Sequence, residues 1–116
     1  MKENKLLDKA QQFAVQIIKI ASDLKAKGQK SISDQIQRSG TSISANIAEG
    51  NHPQSRADMI SKFEIALKEA NETENWLKVC NDARLLENDL FAIVHKQLIQ
   101  IKMLLISSVR TLKARI

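Results

Sequence analysis

Apolar residues recur along three long stretches of this sequence in alternating steps of three and four residues, and this spacing limits the fold more than any other feature. The three stripes are Leu6, Ala10, Phe13, Ile17, Ile20 and Leu24; Met59, Phe63, Ala66, Ala70, Thr73, Leu77 and Cys80; and Phe91, Val94, Leu98, Ile101, Leu105, Ser108 and Leu112. Residues spaced in this way lie on one face of an α-helix. The pattern therefore predicts three long amphipathic helices.

A fourth, shorter helix is predicted by the stripe Ile32, Ile36, Gly40, Ile43 and Ile47. Ser31 or Ser33 can cap its start, and Gly50 is typical of a left-handed stop. Ser55 and Asn88 can cap the two helices that follow. The expected helices cover residues 5–27, 33–49, 55–83 and 88–114. A chain of 116 residues with three Gly, one Pro and no Tyr suits one domain, residues 1–116, rather than a many-stranded fold. The expected fold is all-α, an up-down-up-down four-helix bundle.

Positive charge is concentrated at the two ends of the chain, which carries a net charge of +5. If the first and last helices lie side by side, their cations form one basic surface along the bundle. The residues expected to contribute are Lys19, Lys25, Lys27, Lys102, Arg110, Lys113 and Arg115. This distribution favours contact with an RNA or DNA backbone over readout of bases. The alternative interpretation is that the charge only keeps the protein soluble.

The last predicted helix carries more apolar surface than one core requires. Eight of the twelve residues from 98 to 109 are apolar, and Ile99, Met103 and Ile106 form a second stripe beside the first. A helix that is apolar over most of its circumference is buried on more than one side. We therefore expect a homo-oligomer with these three residues at the interface. A wide stripe in a monomeric bundle is the alternative.

Several classes of protein are not indicated. The single cysteine, Cys80, lies on a core stripe, so we expect a buried thiol and no disulfide framework. No run approaches the ~20 apolar residues of a membrane span, and the start is a poor signal peptide, so a cytoplasmic protein with no membrane partner is expected.

Motifs for catalysis or metal binding are also weak. His52 follows Glu49 by three residues, but Gly50 and Pro53 interrupt the helix that a metal pair would need, so no metal is expected. No phosphate-binding glycine loop is present, and we expect no cofactor and no enzymatic activity.

Two further patterns have alternative interpretations. Residues 36–47 resemble a helix-turn-helix with Gly40 as the turn, although residues 41–48 contain no Lys or Arg. Glu69, Glu72 and Glu74 indicate either a partly solvated charged face or a structural pairing with Arg38.

Two sequence blocks resemble a known bacterial family. The first contains Gln37-Arg38-Ser39, Ser42-Ile43 and the stretch Ala-Asn-Ile-Ala-Glu-Gly at 45–50; the second contains Phe63, residues 66–74 and Trp76-Leu77. They are similar to the signature of the four-helix-bundle proteins first recognised in intervening sequences of 23S ribosomal RNA genes. Two departures are Glu69, where many members have Ser, and His52-Pro53-Gln54, where many have a basic linker.

The resemblance implies a ring-like homopentamer related to the accessory variability determinant of diversity-generating retroelements, which binds nucleic acid and a reverse transcriptase. We therefore expect a non-enzymatic oligomeric scaffold that binds nucleic acid non-specifically and bridges it to a protein partner such as a reverse transcriptase. An interaction bundle with no nucleic-acid role comes second, and a helix-turn-helix regulator third. The motif residues Arg38, Asn46, Glu49 and Glu72 are expected to be structural, because a polar group beside a core stripe needs a hydrogen-bond partner.

Overall fold

The computed structural model describes residues 4–115, which form four α-helices and, within that range, no strand. The helices are α1 (Lys5–Ala26), α2 (Lys30–Gly50), α3 (Arg56–Asp82) and α4 (Asn88–Ala114). The molecule measures 48 × 24 × 22 Å. The prediction of an all-helical fold with four helices is confirmed.

The helices form a square bundle in which each helix packs against two others. Helix α1 packs against α2 and α4, and α3 packs against the same two helices, while across either diagonal the backbones of the described residues stay apart. The predicted stripes meet at the centre: Phe13, Ile17, Leu77 and Leu98 are completely buried, and so is Cys80, as predicted. Short connections between neighbouring helices give the up-down-up-down order.

The helix starts agree with the sequence only in part. The Ser55 hydroxyl accepts a hydrogen bond from the Asp58 amide at 3.0 Å, which confirms the predicted cap of α3. Helix α2 begins earlier than predicted, after Gln29, and neither proposed serine caps it. Ser33 instead donates to the Ala21 carbonyl oxygen at 2.6 Å, so it ties α2 to α1.

Asn88 is also not a cap, because it is the first residue of α4 and follows Glu87. Its side-chain oxygen accepts a hydrogen bond from Asn81 at 2.9 Å. This contact fixes the turn between α3 and α4, where Arg84 has a positive φ of 62°.

Two glycines allow close helix packing rather than turns. Gly40 lies within an uninterrupted α2, and a Cβ atom there would lie 2.6 Å from Ile17 Cγ2 of α1. The turn that a helix-turn-helix requires is therefore not present in this segment. Gly50 is the last residue of α2 and not a left-handed stop; a Cβ atom there would lie 2.6 Å from the Phe63 ring of α3. Both positions need glycine because the neighbouring helix leaves no room.

Helix α4 corrects the expectation that no segment approaches a membrane span. Within the described residues it is the one helix long and apolar enough, by length and composition, to cross a membrane. Only 22% of its most apolar stretch is buried in the bundle. Counting uninterrupted apolar residues missed it, because the polar residues His95, Lys96, Gln97, Gln100 and Lys102 divide the run without making the helix polar on average. The remaining apolar surface of α4 is available to a partner.

Candidate functional site

The interface between α2 and α3 is closed by a network of charged and polar side chains. Arg38 Nη1 donates to Glu69 Oε2 at 2.9 Å, and Arg38 Nη2 donates to Glu72. Ser42 also donates to Glu69, at 2.7 Å, and Trp76 Nε1 donates to Glu72 at 3.3 Å. The predicted pairing of Arg38 with these carboxylates is present, and one guanidinium group contacts both.

This network shifts the pKa values of Arg38 and Glu72. The hydrogen bond to Glu72 raises the pKa of Arg38. Desolvation alone would raise the pKa of Glu72, but the hydrogen bonds from Trp76 and Arg38 outweigh it and leave that pKa below its usual value. Arg38 and Glu72 therefore stay charged at neutral pH, and Trp76 stays hydrogen-bonded to Glu72. This arrangement suits a structural role.

The other two motif residues lie on α2. Asn46 Nδ2 donates to the Ser42 carbonyl oxygen at 2.8 Å, so its amide is paired within its own helix. Glu49 is exposed and lies 3.6 Å from Lys62 Nζ of α3. Deeper in the same interface, the buried Thr73 hydroxyl lies 2.9 Å from the Ser39 hydroxyl and 2.8 Å from the Glu69 carbonyl oxygen. Each of these polar groups has its partner on α2 or α3.

A second polar cluster, which the sequence did not predict, joins α3 to α4 at Glu74. Its carboxylate accepts from Lys102 Nζ at 2.9 Å and lies 2.7 Å from His95 Nε2. The His95 ring also stacks on Phe91, with ring centroids 5.1 Å apart. The hydrogen bond from Lys102, followed by that from His95, lowers the pKa of Glu74 to about 2. The spacing of seven residues between His95 and Lys102 places both on one face of α4, but only the fold shows that Glu74 faces them.

The structure divides the basic residues predicted to bind nucleic acid into two groups. Three of them already have a carboxylate partner: Lys27 lies 2.8 Å from Asp23, Lys102 lies 2.9 Å from Glu74, and Lys113 lies 2.9 Å from Glu64. Lys102 is only 19% exposed and points toward α3. All three were predicted to contribute to one basic surface formed by the first and last helices. The packing of α4 against α3 instead directs Lys102 and Lys113 toward carboxylates of α3.

The remaining predicted cations are exposed, and none pairs with a carboxylate among residues 4–115. They are Lys19, Lys25, Arg110 and Arg115. Lys9 on α1 and Lys96 on α4 share these properties, although the sequence did not single them out. The periodicity could have found Lys9, because residues 5, 9, 12, 16 and 19 follow the same three-and-four spacing as the core stripe.

Helices α1 and α4 leave a groove between them, which we call the α1–α4 groove and define by Lys9, Gln12, Gln97, Gln100 and Leu104. A polar cavity of about 120 Å³ is lined by the lysine and the three glutamines. An apolar cleft of about 310 Å³ adjoins it, lined by Lys9, Gln100, Met103 and Leu104. The Oε1 atom of Gln97 is buried and has no hydrogen-bond partner in the structure. This interface therefore has one buried unpaired acceptor. The other buried side-chain atom without a partner among the described residues is Asn51 Nδ2, at the end of α2.

The residues predicted for the oligomer interface lie on α4, outside the core stripe. Met103 is 66% exposed and Ile106 is 41% exposed, while Ile99 is partly buried. Their spacing places them together on the surface of α4. The structure thus leaves this second apolar stripe without a covering element from residues 4–115.

Comparisons with known proteins identify relatives of this chain. Residues 2–107 match the family described as 23S rRNA-intervening sequence protein. The crystal structure of a protein of unknown function from the S23 ribosomal protein family of Bacteroides thetaiotaomicron has a TM-score of 0.87 and 42% sequence identity, and the match covers 90% of this chain and 97% of that one. No curated protein matches the sequence.

Proposed function

Because the chain belongs to the 23S rRNA-intervening sequence protein family, we propose that it is a non-enzymatic oligomeric scaffold that binds the backbone of RNA or DNA. The observation that carries this proposal is the distribution of unpaired charge. Arg38 on α2 is neutralised by carboxylates, whereas Lys9 and Lys19 on α1 and Lys96 on α4 are exposed and have no acidic partner among the described residues. Unpaired cations along one face attract a polyanion.

The basic face extends toward both ends of the bundle. Lys25 lies near the end of α1, while Arg110 and Arg115 lie near the end of α4. Because α1 and α4 are antiparallel neighbours, these ends lie at opposite ends of a molecule 48 Å long. Spread charge of this kind follows a phosphate backbone and does not read individual bases. Phosphate contacts therefore supply the affinity in the proposed complex.

The test of nucleic-acid binding is fluorescence anisotropy with unrelated oligonucleotides across a salt series. With about four phosphate contacts, affinity falls roughly a hundredfold between 50 and 200 mM salt. The double variant Lys19→Gln with Lys96→Gln weakens binding and reduces the salt slope. The control Lys30→Gln with Lys68→Gln changes the net charge equally but alters α2 and α3 instead, and binds as the wild type does. Absence of binding at 50 mM salt would contradict the proposal.

The oligomer forms, in this proposal, through the exposed stripe of Ile99, Met103 and Ile106. Stripes that large on a small bundle are usually covered by a partner. We propose the pentamer that the family resemblance implies, so light scattering gives a mass near five times 13.0 kDa. Met103→Asp dissociates the oligomer while the circular dichroism spectrum stays helical. A monomer at micromolar concentration would contradict the oligomer. Unfolding of Met103→Asp would show that Met103 is needed for the bundle core and is not an interface residue.

A protein partner and a cytoplasmic location complete the proposal. The scaffold bridges nucleic acid to a partner such as a reverse transcriptase, as the family resemblance implies, and no membrane takes part. Co-purification with a reverse transcriptase encoded beside the gene is the direct test. The second candidate function is an interaction bundle with no nucleic-acid role; the exposed apolar surface of α4 favours it. Oligomerisation without binding of any oligonucleotide would support this second function.

A further inference from the structure

The α1–α4 groove contains a buried acceptor that the folded chain leaves without a donor. Gln97 Oε1 is inaccessible and unpaired, and Gln97 lines the polar cavity of about 120 Å³. Buried polar atoms in proteins nearly always have a hydrogen-bond partner, and leaving one unpaired is costly. A ligand in the cavity that carries a hydrogen-bond donor can pair with this oxygen when the Gln97 side chain turns toward it.

Amide side chains make up most of the lining of the polar cavity. Gln12, Gln97 and Gln100 supply amides, each with two donors and an acceptor, and Lys9 supplies the positive charge. Amide groups pair well with the edges of nucleobases, which carry donors and acceptors in the same plane. Lys19 and Lys96 are exposed on the helices that form the groove. Exposed cations on both helices and amides in the cavity between them match a strand with phosphates outside and bases inside.

The accessibility of the base edges selects between the forms of nucleic acid. In a duplex the pairing edges of the bases are taken up by the opposite strand, so a duplex reaches the exposed lysines but not the glutamine amides of the cavity. A single strand has free base edges that can enter a groove between two helices.

We propose that the α1–α4 groove binds a single strand of RNA or DNA, with one base pairing with the glutamine amides that line the polar cavity. This inference rests on the proposed function, because the same lysines supply its phosphate contacts. It adds that the preferred ligand is single-stranded and that recognition includes the base and not only the backbone. An acidic helical peptide is the competing occupant, since the cleft beside Met103 is apolar. The polar lining of the Gln97 cavity favours the base.

The experiment compares three probes of equal length at 50 mM salt: an oligo-dC strand, the same strand with abasic sites, and a duplex. Abasic sites keep the phosphates and remove the bases. Oligo-dC is expected to bind about tenfold more tightly than either other probe, the effect of one well-formed hydrogen bond to a buried group.

Two variants of the groove test the role of the glutamines. Gln97→Leu and Gln100→Leu are each expected to lose about tenfold in affinity for oligo-dC and to leave duplex binding unchanged. The matched control is Gln11→Leu, which alters an exposed position of α1 outside the groove lining. Thermal unfolding shows in each case that the variant is folded.

The outcomes separate the two proposals. Equal binding of all three probes, or wild-type affinity of both groove variants, would overturn the groove proposal while the proposed function stands. Absence of binding by every probe would overturn the proposed function itself. Binding of an acidic helical peptide that requires Gln97, with no preference for oligo-dC, would assign the groove to a protein partner and also overturn the inference.

Discussion

The α2–α3 and α1–α4 interfaces use the same helical geometry but treat their polar groups differently. Between α2 and α3, Arg38 contacts two carboxylates, and the buried Thr73 and Ser39 hydroxyls contact each other. Between α1 and α4, Gln97 has an unpaired buried oxygen and Lys9 has no acidic partner among the described residues. These contacts of the first interface are complete within one chain, although Asn51 Nδ2 at the end of α2 is also buried and unpaired. The second has capacity left for a ligand, and that is where we place the function.

The largest effect on stability is expected from a substitution at Gly50, where α2 and α3 approach closely. Gly50→Val would place side-chain atoms against the Phe63 ring and destabilise the fold by about 3 kcal/mol, because a packed core cannot absorb the added volume. Chemical denaturation measures the change. Ala45→Val, at an exposed position of the same helix, is the control and costs less than about 1 kcal/mol. A loss of stability no larger than that of Ala45→Val would show that α2 and α3 leave room for a side chain at Gly50.

The second-largest effect on stability is expected at the Glu74 cluster between α3 and α4, and this effect depends on pH. Glu74→Gln leaves Lys102 without its carboxylate and costs about 2 kcal/mol at pH 7. Because the pKa of Glu74 is lowered from 4.5 to about 2, its ionised form stabilises the protein above pH 4.5, and this stabilisation is lost as the pH falls toward 2.

Unfolding measured from pH 7 to pH 2 should therefore show the wild type and Glu74→Gln converging at the acidic end. Glu64→Gln is the matched control, because its partner Lys113 is exposed and an exposed pair contributes less than about 1 kcal/mol. A constant difference between wild type and Glu74→Gln at every pH would mean that packing, and not charge, is responsible.

Arg38→Met tests whether the α2–α3 network contributes to stability. We expect a loss of about 1 kcal/mol, because Arg38 is half exposed while Glu69, only 13% exposed, loses its counter-charge. Trp76 is the only tryptophan and donates to Glu72, so its fluorescence reports rearrangement of the network. Lys19→Met is the control and leaves both the stability and the fluorescence unchanged.

The smallest effect is expected in the α1–α4 groove. Gln97→Leu removes an unpaired buried acceptor and stabilises the ligand-free protein by about 0.5 kcal/mol. Gln11→Leu, at an exposed position, gives no change. The combination of unchanged or higher stability with weaker oligo-dC binding would distinguish a binding residue from a structural one. Destabilisation by more than about 1 kcal/mol would show that Gln97 is structurally required.

Periodicity was sufficient for the helices but not for their ends. The three-and-four spacing identifies the buried faces, because a helix must turn its apolar side to a neighbour whatever that neighbour is. The predicted start of α2 was wrong, because the Ser33 hydroxyl donates to the Ala21 carbonyl oxygen of α1 and does not cap its own helix. Gly50 was misinterpreted for the same reason: its neighbour Phe63 comes from α3. Local sequence patterns describe a single helix, whereas the roles of Ser33 and Gly50 depend on contacts with a second helix.

The candidate site shows the same division. Composition and charge place the cations at the two ends of the chain, and the family motif identifies Arg38 with its carboxylates. Only the packed bundle shows that Lys102 and Lys113 face acids of α3 while Lys9 and Lys96 do not, because the rotation of α4 about its axis is set by contacts with two helices. The unpaired oxygen of Gln97 likewise depends on which side chains surround it. Hydrogen bonding and charge compensation are short-range, so they are decided where helices distant in sequence meet.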